Sequence, residues 1–227
     1  MGERRTAILI EFTDFNGAST VISNYCSAEW NQISSVLAAM PLHIKASGQA
    51  GFVGNAVFDP VATNEYIKTE LVKLGWLAKI PIPPMYRFLG TDVDFGSSGA
   101  IVEVQFSHYS FLLNNTVRSQ LFFNTNTPLT GQPIRAVIIV TKSQMFPAAN
   151  SSLYYEQAVN QLTVLSAYLF NVPLRIVGLF KQNNTTVPAK LTVYSAQTSR
   201  TIVTQQECEC QIISGPSPRS RSSIRIM

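Results

Sequence analysis

Charge is what this sequence has least of. Asp, Glu, Lys and Arg make up 13% of its 227 residues, about half the ~25% of an ordinary soluble domain, so disorder driven by charge repulsion is excluded. No apolar run reaches the roughly 18 residues that a membrane-spanning helix needs, so no membrane partner is expected. Arg4 and Arg5 precede only a short apolar run at 7–10, closed by Glu11. That run is too brief for the core of an export signal, and a cytoplasmic protein is expected. Cysteine is scarce as well: there are three, an odd number that makes no disulfide framework. Cys208 and Cys210 flank Glu209 at a spacing that suits neither a zinc knuckle nor a redox pair, so reduced structural thiols are expected. The hydrophobic content of 46% is enough for one substantial core.

Lys plus Arg outnumber Asp plus Glu by seventeen to thirteen, a net charge of +4. An excess this small is compatible with nucleic acid without demanding it. Its placement says more. Arg219, Arg221 and Arg225 crowd the last residues among serines, as a basic tail would, either for a phosphate backbone or simply for solubility.

Helical and extended patterns alternate, which argues for an α/β fold. Trp30, Ile33, Val36 and Leu37 mark a helix over 28–39, and Tyr66, Ile67, Leu71 and Leu74 another over 64–74, stopped by Gly75. The proline-rich stretch 80–84 reads as an extended connector that cannot be a central strand. Residues 87–95 and 100–106 read as two strands joined by a glycine-bounded turn at 96–99. A helix is expected over 114–123, and the apolar runs 134–141 and 173–180 read as strands buried on both faces. Asn150 is expected to open the longest helix, with Leu153, Ala158, Leu162, Leu165 and Leu169 on its inner side. From residue 182 the composition turns to Asn, Thr, Gln and β-branched residues. The expected organisation is an α/β core over 1–181 with a β-rich appendage and basic tail over 182–227, one structural domain overall.

With so few acids, their position in apolar strands matters. Asp94 ends one strand and Glu103 sits inside the next, where the hairpin brings them together; Glu103 and Gln105 share a face. Two carboxylates in a partly buried setting need a compensating cation, and a divalent ion with oxygen ligands such as Mg²⁺ supplies one. The plainer reading is a pair of strand-end acids, solvated or paired with Arg87 or Lys142. Acid, turn, then Glu-x-Gln is similar to the nuclease pattern PD-(D/E)xK, with glutamine in place of lysine.

Longer strings are more specific. Residues 40–47 (MPLHIKAS), 58–61 (FDPV), 88–96 (FLGTDVDFG), 102–107 (VEVQFS), 111–119 (FLLNNTVRS) and 145–157 (MFPAANSSLYYEQ) resemble type II restriction endonucleases of the BglII/BamHI kind. The resemblance runs from about residue 12 to 180 and fades after 182. It implies a restriction-endonuclease-like core, a central mixed sheet flanked by helices. It also implies a homodimer that embraces double-stranded DNA, with the 182–227 appendage as a DNA-embracing part, and, with Mg²⁺, cuts a GATC-centred palindrome such as AGATCT. A companion DNA methyltransferase is implied too. Carried over by position, Asp94, Glu103 and the backbone carbonyl of Val104 are metal ligands, with Asp94, Glu103 and Gln105 as the catalytic set. Ser107, His108, Arg118, Asn150 and Ser151 are DNA-binding. Read without the resemblance, Asn150 and Ser151 are plain helix caps and Arg118 is a helix-surface residue.

Three departures limit the transfer. The family has asparagine in the place of His108 and in the place of Lys79, the latter beside the metal site, and the segment after 182 is diverged. Lys79 could restore the positive charge missing at Gln105 or point to solvent. Two rivals stand beside the leading reading: a DNA-binding protein that has lost catalysis, and a structure-selective repair nuclease on the same scaffold.

Overall fold

The computed structural model describes residues 7–148, 152–181, 185–196, 199–215 and 222–227. In chain order, β1 (Leu9–Phe15) leads into α1 (Ala18–Tyr25) and α2 (Ser27–Ala39), then β2 (Leu42–Ala46), β3 (Ala56–Phe58) and α3 (Pro60–Lys73). Next come β4 (Leu77–Pro81), β5 (Asp92–Ser97) and β6 (Ala100–Val104), with a 3-10 turn at Pro84–Leu89 after β4. There follow α4 (Phe111–Asn124), β7 (Ala136–Lys142), α5 (Tyr155–Leu169) and β8 (Leu174–Phe180). The chain closes with β9 (Thr186–Tyr194), β10 (Ile202–Ile213) and β11 (Ser223–Ile226).

A six-stranded sheet in the order β1-β8-β7-β6-β5-β4 forms the centre. β6, β7 and β8 run parallel, and the strands outside them are antiparallel. β7 is buried along its whole length, as a parallel strand covered on both faces must be. Alternate side chains serve two cores. Val102, Ile138, Val140, Val177 and Leu179 meet α1, α2 and α3 on one face. Ile101, Val137, Ile139, Leu174 and Ile176 meet α4 and α5 on the other. The result is the expected α/β architecture, a mixed sheet between helical layers. No helix among the described residues is long and apolar enough to cross a membrane. Cys26 and Cys210 are buried and free, and burial pushes both thiols up to about 11.

The local readings differ from the structure at several places, among them Leu169, expected on the inner side of its helix but 60% exposed. Residues 87–95 are not one strand: the chain first closes the 3-10 turn at Pro84–Leu89, then extends from Asp92. The stretch after Leu77 is a strand as far as Pro81, at the edge of the sheet where proline is tolerated. The longest helix does not open at Asn150. It starts at Tyr155, because Lys142 bridges Tyr154 and keeps the chain extended to that point; Asn150 and Ser151 lie outside the described residues. The strands after 182 pair with strands from the first half of the chain. A second sheet runs β11-β10-β9-β2-β3, with β9 parallel to β2, so segments from both ends of the chain build it.

Candidate active site

The β4–β5 ladder pairs Leu77 with Gly96, Ala78 with Phe95, Ile80 with Val93 and Pro81 with Asp92. The step between, at Lys79 and Asp94, forms no pair, and Lys79 is exposed with φ 52°, in the left-handed region. Across this step the packing changes sides: Ala78 and Phe95 join one core, Ile80 and Val93 the other. Residues two apart on a regular strand share a face, so both strands roll here. The roll releases Asp94 from the ladder, and its Oδ2 accepts a hydrogen bond from Val104 N at 2.8 Å.

β5 turns into β6 through Ser98 and Gly99, both at positive φ (47° and 87°), the backbone of a two-residue hairpin turn. Glycine is needed at 99, because a Cβ there would meet Pro133 O at 2.8 Å. The β5–β6 pairs run from Ser97 with Ala100 to Phe95 with Val102. One step further, Asp94 and Glu103 stand level. Gln105 N donates to Val140 O on β7 at 2.9 Å, so the peptide groups of Val104 point to the opposite edge, towards Asp94.

Glu103 is only 1% exposed. Its counter-charge is neither Arg87 nor Lys142 but Arg118, whose Nη2 donates to Glu103 Oε1 at 2.5 Å. Arg118 comes from the buried face of α4, beside Asn115 and Ser119. Gly90 makes room for it, since a Cβ there would lie 2.6 Å from Arg118 Nη1. Burial pushes the Glu103 carboxyl up, to about 8, against the pull of Arg118, and Asp94 adds to the rise. Burial also raises the Asp94 carboxyl, opposed by the Val104 hydrogen bond and by Arg118. With its guanidinium buried against Glu103, Arg118 is not the helix-surface residue of the plainer sequence reading.

These groups fit a divalent cation. Asp94 Oδ2 accepts from Val104 N and Glu103 Oε1 from Arg118, and the Glu103 carboxylate also accepts from the Asp94 backbone. Among the described residues no three His, Cys, Asp or Glu side chains gather into a cage. A cation here would rest on two carboxylates, a backbone carbonyl and oxygens from water or phosphate, a set that suits Mg²⁺. Gln105 is half-buried, and its Nε2 donates to Ser107 O. Ser107 and His108 are exposed on the loop before α4, with His108 at φ 44° and its ring 5.8 Å from that of Phe111.

A family model for restriction endonuclease BglII/BglIII matches residues 10–179. This chain belongs to that family. The type II restriction enzyme BglII of Bacillus subtilis is 48% identical over 214 residues, covering 93% of this chain and 95% of the relative. A crystal structure of restriction endonuclease BglII complexed with a DNA 16-mer matches 96% of this chain and 100% of its own, with 47% identity and a TM-score of 0.92. Free BglII, at the same coverage and 44% identity, gives 0.75. The arrangement of this chain is therefore nearer to the relative solved with DNA. Membership makes the chain a type II restriction endonuclease, a site-specific hydrolase of a class that implies dependence on a divalent metal.

Proposed function

We propose that two copies of this chain cut a GATC-centred palindrome such as AGATCT in double-stranded DNA with Mg²⁺, in the cytoplasm of a cell that also carries a protecting methyltransferase. The observation that carries this reading is the pair of carboxylates, Asp94 and Glu103, standing level on neighbouring strands and fixed by Val104 N and Arg118. Asp94, Glu103 and the carbonyl of Val104 would hold the ion. Held there, the ion would supply polarisation of the scissile phosphate and a lowered pKa for an attacking water.

The chain's own residues do the rest. Arg118 aims Glu103 and favours its ionised form against the effect of burial, and the Val104 N–H does the same for Asp94. The uncharged amide of Gln105 orients water by hydrogen bonding and cannot take a proton. Ser107 and His108 approach the duplex from their exposed loop, and Asn150 and Ser151 read the inner base pairs. Arg118, paired with Glu103, stays in the DNA-binding set that the resemblance implies.

The second copy docks on α4 and α5, where Leu113, Val117, Val164, Tyr168 and Leu169 are exposed large apolar residues on neighbouring helices. Sedimentation with and without duplex DNA tests the dimer. Digestion of a plasmid of known sequence with Mg²⁺, followed by end mapping, tests the activity: ends at GATC-centred palindromes are expected. Binding without cleavage would favour an inactive DNA-binding protein, and cuts scattered at junctions a repair nuclease.

A further inference from the structure

Lys142 closes β7 with its side chain buried, 1% exposed. Among the described residues no carboxylate lies within ion-pair distance of it. The ammonium instead sits in an aromatic box, with ring centroids of Tyr154, Phe58 and Phe106 at 5.0, 5.6 and 5.7 Å. Its donors go to main-chain carbonyls of two separate segments. Nζ donates to Phe106 O at 2.6 Å and to Leu153 O at 3.4 Å.

Those carbonyls belong to the two segments around the candidate site. Phe106 follows Gln105 directly and begins the loop that carries Ser107 and His108. Leu153 lies just ahead of α5, on the stretch that the sequence reading assigns to base recognition. The neighbours of Lys142 reinforce the same junction. Thr141 Oγ1 also donates to Leu153 O, at 3.1 Å, and Ser143 Oγ donates to Glu156 Oε1 at 2.6 Å. Gln144 N donates to Glu156 Oε2 at 3.0 Å. The end of β7 is thus a hub, and Lys142 is the side chain in it that reaches both ways.

A buried, uncompensated lysine is costly to keep. Burial alone pulls its ammonium down to about 7. A methionine or leucine would fill an aromatic box at less cost, so packing does not explain the residue. A donor for the Phe106 carbonyl that also reaches the Leu153 carbonyl does.

We propose that Lys142 is a positioning residue that locks the exit of the catalytic strand to the segment entering α5, so that the site and the DNA-reading stretch hold one geometry. The proposal rests on the nuclease reading above. Lys142→Met keeps the stem in the box and removes the donors, and Lys142→Gln retains a shorter donor. A displacement of a fraction of an ångström at Gln105 slows chemistry without removing the groups that bind DNA. The expected result is a single-turnover cleavage rate about 10- to 100-fold below wild type, with duplex affinity in Ca²⁺ kept within about threefold. Hydrogen exchange should speed up together in peptides 105–110 and 152–156. A rate within twofold of wild type, rate and affinity falling in parallel, or faster exchange in one segment without the other would each overturn it. If neither variant folds, Lys142 is a fold residue and the proposal is wrong. The exchange readout stands even for an enzyme that cuts nothing, whereas absence of wild-type cleavage would count against the nuclease reading.

Discussion

Arg118 Nη2 and Glu103 Oε1 are 2.5 Å apart in a buried ion pair between α4 and β6. Breaking such a pair from one side is far worse than softening it, because the remaining charge is stranded away from water. Glu103→Gln and Glu103→Ala should therefore separate. The glutamine keeps an acceptor for Arg118, whereas the alanine leaves the guanidinium uncompensated and should lose about 3–5 kcal/mol. Both should cut at least about 10³-fold more slowly, the equivalent of several kcal/mol of lost charge stabilisation. Glu103→Gln should still bind duplex in Ca²⁺. Asp94→Asn should behave like Glu103→Gln. Near-normal cleavage in either conservative variant would remove the metal-site assignment.

Lys79 lies at the unpaired step of β4–β5, level with Asp94 in the register, exposed and holding a left-handed φ of 52°. A non-glycine residue there costs on the order of 1 kcal/mol, and strain retained beside a reactive carboxylate points to use. Lys79→Gly should leave stability unchanged or raise it by up to about 1 kcal/mol. Its cleavage rate should fall tenfold or more if the ammonium supplies the charge that Gln105 lacks. Urea melts and single-turnover rates on the same preparation decide it: unchanged cleavage assigns Lys79 to solvent.

Which features were legible follows from what kind of signal each leaves. β7 and β8 are unbroken apolar runs, and α2 and α3 repeat their apolar residues every three or four positions. The Asp94–Glu103 hairpin was legible because its turn and its acids are local. Arg118 was not: the buried face of α4 includes Asn115, Thr116, Arg118 and Ser119, so no apolar stripe marks which side faces in. The second sheet was not legible either, because β2 and β9 meet across more than a hundred residues and neither strand's pattern names its partner. The start of α5 was misplaced because Asn150 and the serines after it read as a cap, while the bridge from Lys142 to Tyr154 is long-range.

His43 on β2 is buried, with neither ring nitrogen hydrogen-bonded and its ring 5.6 Å from that of Tyr66. Burial, with Lys190 adding to it, pulls the imidazole down from 6.5 to about 4. Between those values the unfolded chain binds more protons than the folded one. Stability should therefore rise with pH through this window and be lost as pH falls from 6.5 towards 4. The effect of this one group is on the order of 3 kcal/mol. The stability difference between wild type and His43→Leu, from denaturant melts at pH 4 to 7, isolates it from the carboxylates. A difference that does not change with pH would show that His43 titrates normally.

The DNA-reading loop offers the sharpest test of specificity. His108 is exposed at φ 44°, a backbone that asparagine and histidine both accept more readily than most residues. His108→Asn should therefore preserve the loop and change only what the side chain presents to DNA. Neutral imidazole offers one donor and one acceptor; a side-chain amide offers two donors and an acceptor at shorter reach. If Asn150 and Ser151 read the inner pairs and this loop the outer one, GATC is kept while the outer pair is relaxed. A replaced polar contact changes discrimination by about 1–3 kcal/mol per base pair, roughly 5- to 150-fold in rate. AGATCT should be cut fastest, with the other three NGATCN palindromes slower by no more than that factor. His108→Asn should widen the gap. The measurement is the single-turnover rate on four duplexes that differ only in the outer pair, for both proteins. Alternatives slower by about 10⁴-fold or more in wild type would show a strict outer pair and remove His108 as the source of relaxation. If no GATC duplex is cut while other sequences are, the assignment of the inner pairs to Asn150 and Ser151 fails with it.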